Sequence, residues 1–199
     1  MQDQPARCPP CQPPELAVIV PTYQEADSVA EIARRVAAVL DGVAWELLFV
    51  DDDSPDGTAE RVRELARHDS RVRLIQRVGR RGLSSACIEG MLATSAPFLA
   101  VMDGDLQHDE TLLPRMLQTI KDEDLEIVVG SRYVAGGGVG DWNARRQFMS
   151  RLATRIGQRL IGVELQDPMS GFFLVRATVI QSCVRRLSGN FSISHGSLG

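Results

Sequence analysis

Residues 103–108 read Asp-Gly-Asp-Leu-Gln-His and follow directly on the apolar run Pro97–Met102. Carboxylates at i and i+2 of an extended strand project to the same side. Two acidic groups that close repel unless a cation stands between them. Asp103, Asp105 and the amide of Gln107 offer the oxygen donors that Mg2+ or Mn2+ takes, ions that keep waters and accept substrate phosphates. Gly104 lets a ligand or the metal approach the backbone closely. The same residues also suit a turn whose aspartates bond local amides, and His108 fits a loop-supporting role better than a ligand role.

A second acidic stretch, Asp51 to Gly57 (DDDSPDG), leaves another apolar run and holds a turn sequence. Thr58 or Asp56 would cap the helix after it. A carboxylate here can accept hydrogen bonds from a nucleobase or a ribose. The first apolar run ends in PTYQEADS rather than GxGxxG, which argues against a dinucleotide cofactor, and a P-loop is absent.

These segments need elements to position them, and the chain alternates accordingly. ELAVIV, WELLFV, RVRLIQ, PFLAVM and LEIVVGSR are short apolar runs that read as five strands. Between them lie helical periods. One carries Val29, Ile32, Ala33, Val36, Val39 and Leu40 on one face. Another is ETLLPRMLQTIKD, where Pro114 is tolerable only near the first turn. Such alternation predicts right-handed βαβ units, a mostly parallel α/β sheet and helices on both faces. Ligands then bind beyond the carboxyl ends of the strands. That rule selects PTYQE, DDDSPDG, DGDLQH and GSRYVAGGG. Residues 1–14 are rich in proline and read as a disordered leader, residues 15–187 as the folded domain, and 188–199 as an irregular tail.

With 199 residues, a formal net charge of −4 and only one lysine (Lys121), the chain has no global basic field, so nucleic acid is not an expected partner. Cys8 and Cys11 form a CPPC in the leader, while Cys87 and Cys183 lie in apolar segments. No second CxxC completes a zinc site, and the thiols read as incidental ones of a reducing compartment. The apolar runs are far shorter than a membrane span needs.

VIVPTYQE, VDDDSPDGT, RGLSSACIEGM, MDGDLQH, VGSRYVAGGG and DPMSGFF occur in the order and spacing of family 2 glycosyltransferases. Within that family the chain resembles the dolichol-phosphate mannose synthases and their bacterial polyprenyl-phosphate relatives, over about residues 16–187. The resemblance implies the GT-A (Rossmann-like) nucleotide-sugar-binding fold. It implies transfer of a hexose, mannose from GDP-mannose, to a polyprenyl or dolichyl phosphate with inversion, using Mg2+ or Mn2+. Pro21, Tyr23, Glu25, Val50 and Asp52 match positions holding the base and ribose. Asp103, Gly104 and Asp105 match the segment meeting the diphosphate, and Asp103, Asp105 and Gln107 match the metal site. Arg132 matches an arginine on the substrate phosphates, and Arg146 and Ser150 match contacts to the acceptor phosphate, with Arg145 their neighbour.

The family more often has alanine at position 104, and glycine, serine or asparagine at 53. Its members also continue beyond RRLSG, so the NFSISHGSLG ending is expected to be a truncated or frame-shifted end. A lipid acceptor implies peripheral contact at the cytoplasmic membrane face and a membrane-anchoring partner subunit. The stretch 142–163 is basic and amphipathic and suits either an interfacial helix or a core-packed one. The competing functions are a family 2 transferase using a UDP sugar, with polyprenyl phosphate or a saccharide as acceptor, and an inactive fragment that binds nucleotide.

Overall fold

The computed structural model describes residues 12–130 and 172–189. Arg132, Arg145, Arg146, Ser150, the CPPC leader and the stretch 142–163 lie outside the described residues. The first strand is β1 (Leu16–Thr22), followed by α1 (Val29–Val39), β2 (Trp45–Asp51), α2 (Thr58–His68), β3 (Val72–Gln76) and α3 (Leu83–Leu92). Next come β4 (Phe98–Val101), a 3-10 turn (Glu110–Leu112), α4 (Leu113–Asp122), β5 (Ile127–Val129), β6 (Phe173–Arg176) and α5 (Ala177–Gly189).

The six strands among the described residues form one sheet in the order β3-β2-β1-β4-β6-β5. β1, β2, β3 and β4 run parallel, and β6 runs antiparallel between β4 and β5. Alternation along β1 sorts its side chains: Leu16, Val18 and Val20 join a core with Val29, Ile32 and Val36 of α1, Val62 of α2 and Leu113, Met116, Leu117 and Ile120 of α4. Ala17 and Ile19 face the other way, toward Ala86 and Met91 of α3 and Ile180 of α5. Both sheet faces are covered, as near-continuous apolar strands demand. Pro114 sits in the first turn of α4, where its missing N–H costs nothing.

Two differences from the sequence expectation concern the far edge. Among the described residues LEIVVGSR forms a strand over Ile127–Val129, and an unanticipated strand, β6, separates it from β4. Phe173, Leu174 and Val175 are buried, because the short run is covered on both faces. In addition, α5 continues through Gly189, two residues into the stretch expected to be irregular.

The arrangement that matters for a site is a divergence within the sheet. β1 pairs with β2 as far as Thr22↔Asp51 but with β4 only as far as Ile19↔Val101. The last link across the gap is the Met102 N–H to Ile19 C=O bond at 3.1 Å. From β1 the chain steps to β2 and β3 on one side and to β4 on the other. This is the switch point where doubly wound sheets open a crevice.

Candidate functional site

Loop 22–28, after β1, is held by the acidic turn after β2. Ser54 Oγ accepts the Gln24 N–H at 2.9 Å, Thr58 Oγ1 the Glu25 N–H at 3.0 Å and Asp56 Oδ2 the Ala26 N–H at 3.2 Å. Asp51 is fully buried; its carboxylate accepts from the Ser54 N–H at 3.0 Å and the Ser54 hydroxyl at 2.5 Å. Asp56 Oδ1 accepts the Thr58 N–H at 3.1 Å, but the N-cap position of α2 is Gly57, at φ +87°, so neither Asp56 nor Thr58 is the cap residue that the sequence suggested. Burial opposes it, but the hydrogen bonds from Thr58 and Ala26 hold the Asp56 carboxyl below its usual range. Much of DDDSPDGT is therefore a brace for PTYQEAD.

Asp52 points its carboxylate elsewhere. Arg77, just beyond β3, bonds Asp52 Oδ1, and the Gly82 N–H donates to Asp52 Oδ2 at 2.6 Å. Asp53 has φ +58°, a left-handed backbone that suits glycine, asparagine or aspartate. It accepts from the Gly79 N–H at 3.3 Å.

The DGDLQH segment lies beyond the strand rather than on it. β4 ends at Val101, and the chain turns at Gly104–Asp105 with Leu106 at φ +59°. The extended-strand geometry expected for the two aspartates is thus corrected to a turn, closed by the Gln107 N–H donating to Asp105 Oδ1 at 3.0 Å. His108 is buried, its Nε2 3.0 Å from Asp103 Oδ2 and its ring 5.3 Å from that of Phe172. That is the loop-supporting position. A Cβ on Gly104 would meet Glu25 Cγ at 3.3 Å, Thr22 Cγ2 at 3.4 Å and the Pro21 carbonyl at 3.5 Å. Gly104 therefore seats the acidic turn on the loop after β1, across the gap in the sheet.

Burial pushes the Glu25 carboxyl above its usual range; the Ser28 hydroxyl opposes this, and the charges of Asp105, Asp56 and Asp103 add to it. Glu25 thus sits half-buried in the negative field of those three carboxylates. Among the described residues no group of three or more His, Cys, Asp or Glu side chains could by itself hold a metal ion. The donors present fit a hard divalent cation that completes its shell with phosphate oxygens and water. Asp103 and Asp105 would hold it, and Gln107 follows on the same turn.

Pro21 is buried at the end of β1, and the Val50 side chain is enclosed beneath α3 near Gly90. Tyr23 is 40% exposed, and the Arg81 guanidinium lies 4.4 Å from its ring centroid. The structure therefore brings Pro21, Tyr23, Glu25, Asp52 and the 103–107 turn to one end of the sheet, with Val50 behind them. Arg77 and Arg81 were missed. The signal was available: both follow the carboxyl end of a strand, and the rule used for the other strands applies to β3 as well.

The glycosyl transferase family 2 model matches residues 17–183. The dolichol-phosphate mannosyltransferase of Pyrococcus furiosus is 38% identical over 169 residues, 84% of this chain and 47% of that protein. The dolichol-phosphate mannosyltransferase of Saccharomyces cerevisiae is 35% identical over 173 residues, 85% of this chain and 63% of that protein. The chain therefore spans roughly half to two-thirds of the length of these relatives. In fold it is similar to a mannosyltransferase from Pyrobaculum calidifontis in complex with GDP-Man and Mn2+, with TM-score 0.59, 19% identity, and 86% of this chain and 47% of that one covered. It is also similar to glucosyl-3-phosphoglycerate synthase from Mycobacterium tuberculosis, with TM-score 0.55, 22% identity, and 83% of this chain and 57% of that one covered.

Proposed function

The chain belongs to glycosyl transferase family 2, and from that premise we propose that it transfers mannose from GDP-mannose to a polyprenyl or dolichyl phosphate, with inversion and with a divalent ion. The observation that carries the reading is the seating of the Asp103–Gly104–Asp105 turn on Pro21, Thr22 and Glu25 where the sheet divides. The names of the two relatives, each a dolichol-phosphate mannosyltransferase, support the donor and acceptor classes.

In this reading Tyr23, Glu25 and Asp52 receive the base and ribose, with Pro21 and Val50 shaping the floor behind them. Asp103, Gly104 and Asp105 meet the diphosphate, and Arg132 adds charge-assisted donors to it. Arg146 and Ser150 receive the acceptor phosphate. Mg2+ or Mn2+ bound at Asp103 and Asp105 supplies Lewis acidity and a template for the diphosphate. The acceptor is a phosphate monoester, anionic at neutral pH. Its oxygen therefore needs no general base to remove a proton. Attack opposite the leaving diphosphate inverts the anomeric carbon.

A lipid acceptor places the work at the cytoplasmic face of a membrane, with the protein peripheral or held by a membrane-anchoring partner subunit. Among the described residues no helix is long and apolar enough to cross a membrane.

Thermal-shift titration with GDP, UDP and their sugars plus Mn2+, followed by turnover with polyprenyl phosphate, tests the reading. GDP preference and mannosyl transfer are expected. A UDP preference would redirect the donor, and binding without turnover would leave a nucleotide-binding fragment. Asp105→Ala should abolish metal-dependent transfer while the fold persists; normal turnover of that variant with Mg2+ or Mn2+ would overturn the metal assignment.

A further inference from the structure

Arg77 is 3% exposed, and a charge so enclosed is costly unless its donors are matched. Here they are. One terminal nitrogen bonds Asp52 Oδ1 and reaches the Gly82 carbonyl at 3.3 Å; the other donates to Ser85 Oγ at 2.6 Å. Nε donates to Glu89 Oε2 at 3.1 Å. A planar guanidinium can serve four acceptors in this way, whereas an ammonium is a point charge.

What the network holds is the edge of the crevice. Asp52 leaves β2 next to the loop carrying Tyr23 and Glu25, and the Asp52 N–H is tied to the Thr22 carbonyl at 3.0 Å. Gly82 and Ser85 begin α3, and between Arg77 and Gly82 lies Arg81, whose guanidinium covers Tyr23. Gly82 has φ +138°, a backbone that other residues rarely adopt, and the Asp52 carboxylate clasps its N–H. Arg77 thus joins three segments, β2 through Asp52, the β3–α3 loop through Gly82 and α3 through Ser85 and Glu89.

We infer that Arg77 is a positioning residue for nucleotide binding: it sets the Asp52 carboxylate and the β3–α3 loop in the orientation that receives the base and ribose. This rests on the proposed nucleotide-sugar site, and the two can fail separately. Arg77 touches no substrate in this role. Its loss acts through Asp52 and falls on KM for the nucleotide sugar more than on kcat.

The test is titration of the full chain with GDP and UDP in Mn2+, for wild type, Arg77→Lys, Asp52→Asn and the double variant. Arg77→Lys should weaken binding about 10-fold, the scale of a hydrogen bond to a charged group. In the Arg77→Lys background Asp52→Asn should add less than about two-fold, since coupled residues are non-additive. Wild-type affinity in Arg77→Lys, or full additivity of the pair, would overturn the inference. Should Arg77→Lys fail to fold, Ser85→Ala removes one acceptor of the guanidinium and Glu89→Gln the charge of another, and both leave Asp52 in place. Both should weaken binding about two- to three-fold, a partial loss of such a network. Unchanged affinity in both would overturn the proposal. A wild-type chain that binds neither nucleotide would instead refute the proposed function.

Discussion

Thr58 Oγ1 accepts the Glu25 N–H at 3.0 Å and donates to Asp56 Oδ1 at 2.6 Å, so one hydroxyl ties the loop after β1 to the turn after β2. Thr58 is fully buried, so water cannot replace the lost partner. Thr58→Val keeps the shape and removes both bonds. It should cost about 1–3 kcal/mol, the penalty for an unsatisfied buried group, read by urea denaturation. Nucleotide affinity should fall as well, because Tyr23 and Glu25 ride on the released loop. Unchanged stability would show that the brace is not needed.

Two glycines should respond unequally to alanine. A Cβ on Gly90 would lie 2.5 Å from Ile19 Cγ2 and 2.9 Å from Val50 Cγ2, where α3 presses onto the sheet. Gly90→Ala should destabilise by about 1–3 kcal/mol, as overpacking does. At Gly104 the nearest atoms would stand 3.3–3.5 Å away, and its φ is not positive. Gly104→Ala should lower the thermal midpoint less than Gly90→Ala, because Glu25 Cγ and Thr22 Cγ2 need give only a few tenths of an ångström. A large loss at 104, or none at 90, would contradict the packing described.

Strand-like runs and helical periods in regular alternation reveal β1 to β4 and α1 to α4, since each element predicts the place of the next. The run Phe173–Arg176 lies outside that alternation and pairs antiparallel with strands far away in sequence. Nothing local announces that. The site shows the same division. Residue types disclose Asp103, Asp105 and the acidic turn after β2, since carboxylates at strand ends are unusual unless used. They do not disclose which carboxylate braces and which faces a ligand. Asp51 and Asp52 are neighbours, yet one is sealed around Ser54 and the other is gripped by Arg77. That choice is made by tertiary contact, as is the left-handed turn at Leu106.

Burial pushes the Cys87 thiol up to about 12, with the charge of Asp103 adding to it. A thiol that stays protonated is a poor nucleophile. Iodoacetamide at pH 8 should therefore leave Cys87 unmodified in the native chain and label it in urea, as read by peptide mass spectrometry. Rapid native labelling would mean that α3 opens or that water reaches the Cys87 thiol.

Glu25 gives a pH dependence whose sign follows from its surroundings. Burial, then the charges of Asp105, Asp56 and Asp103, raise its folded-state pKa above the ordinary 4.5. A carboxyl raised on folding favours the native state below the unfolded value, and that contribution is lost as pH rises through the folded value. At neutral pH ionised Glu25 therefore works against the fold. Glu25→Gln keeps an oxygen for the Ser28 hydroxyl, which donates to Glu25 Oε2 at 3.1 Å, and removes the charge. The variant should melt higher than wild type at pH 7, with the gap closing toward pH 4. Divalent ions should narrow the gap at pH 7 if they settle on Asp103 and Asp105, since they relieve the same repulsion. In the proposed nucleotide site the gain in stability should come with weaker nucleotide binding, because the variant loses the carboxylate acceptor. Melting curves for the two proteins that run parallel from pH 4 to pH 8 would show that Glu25 does not feel this field.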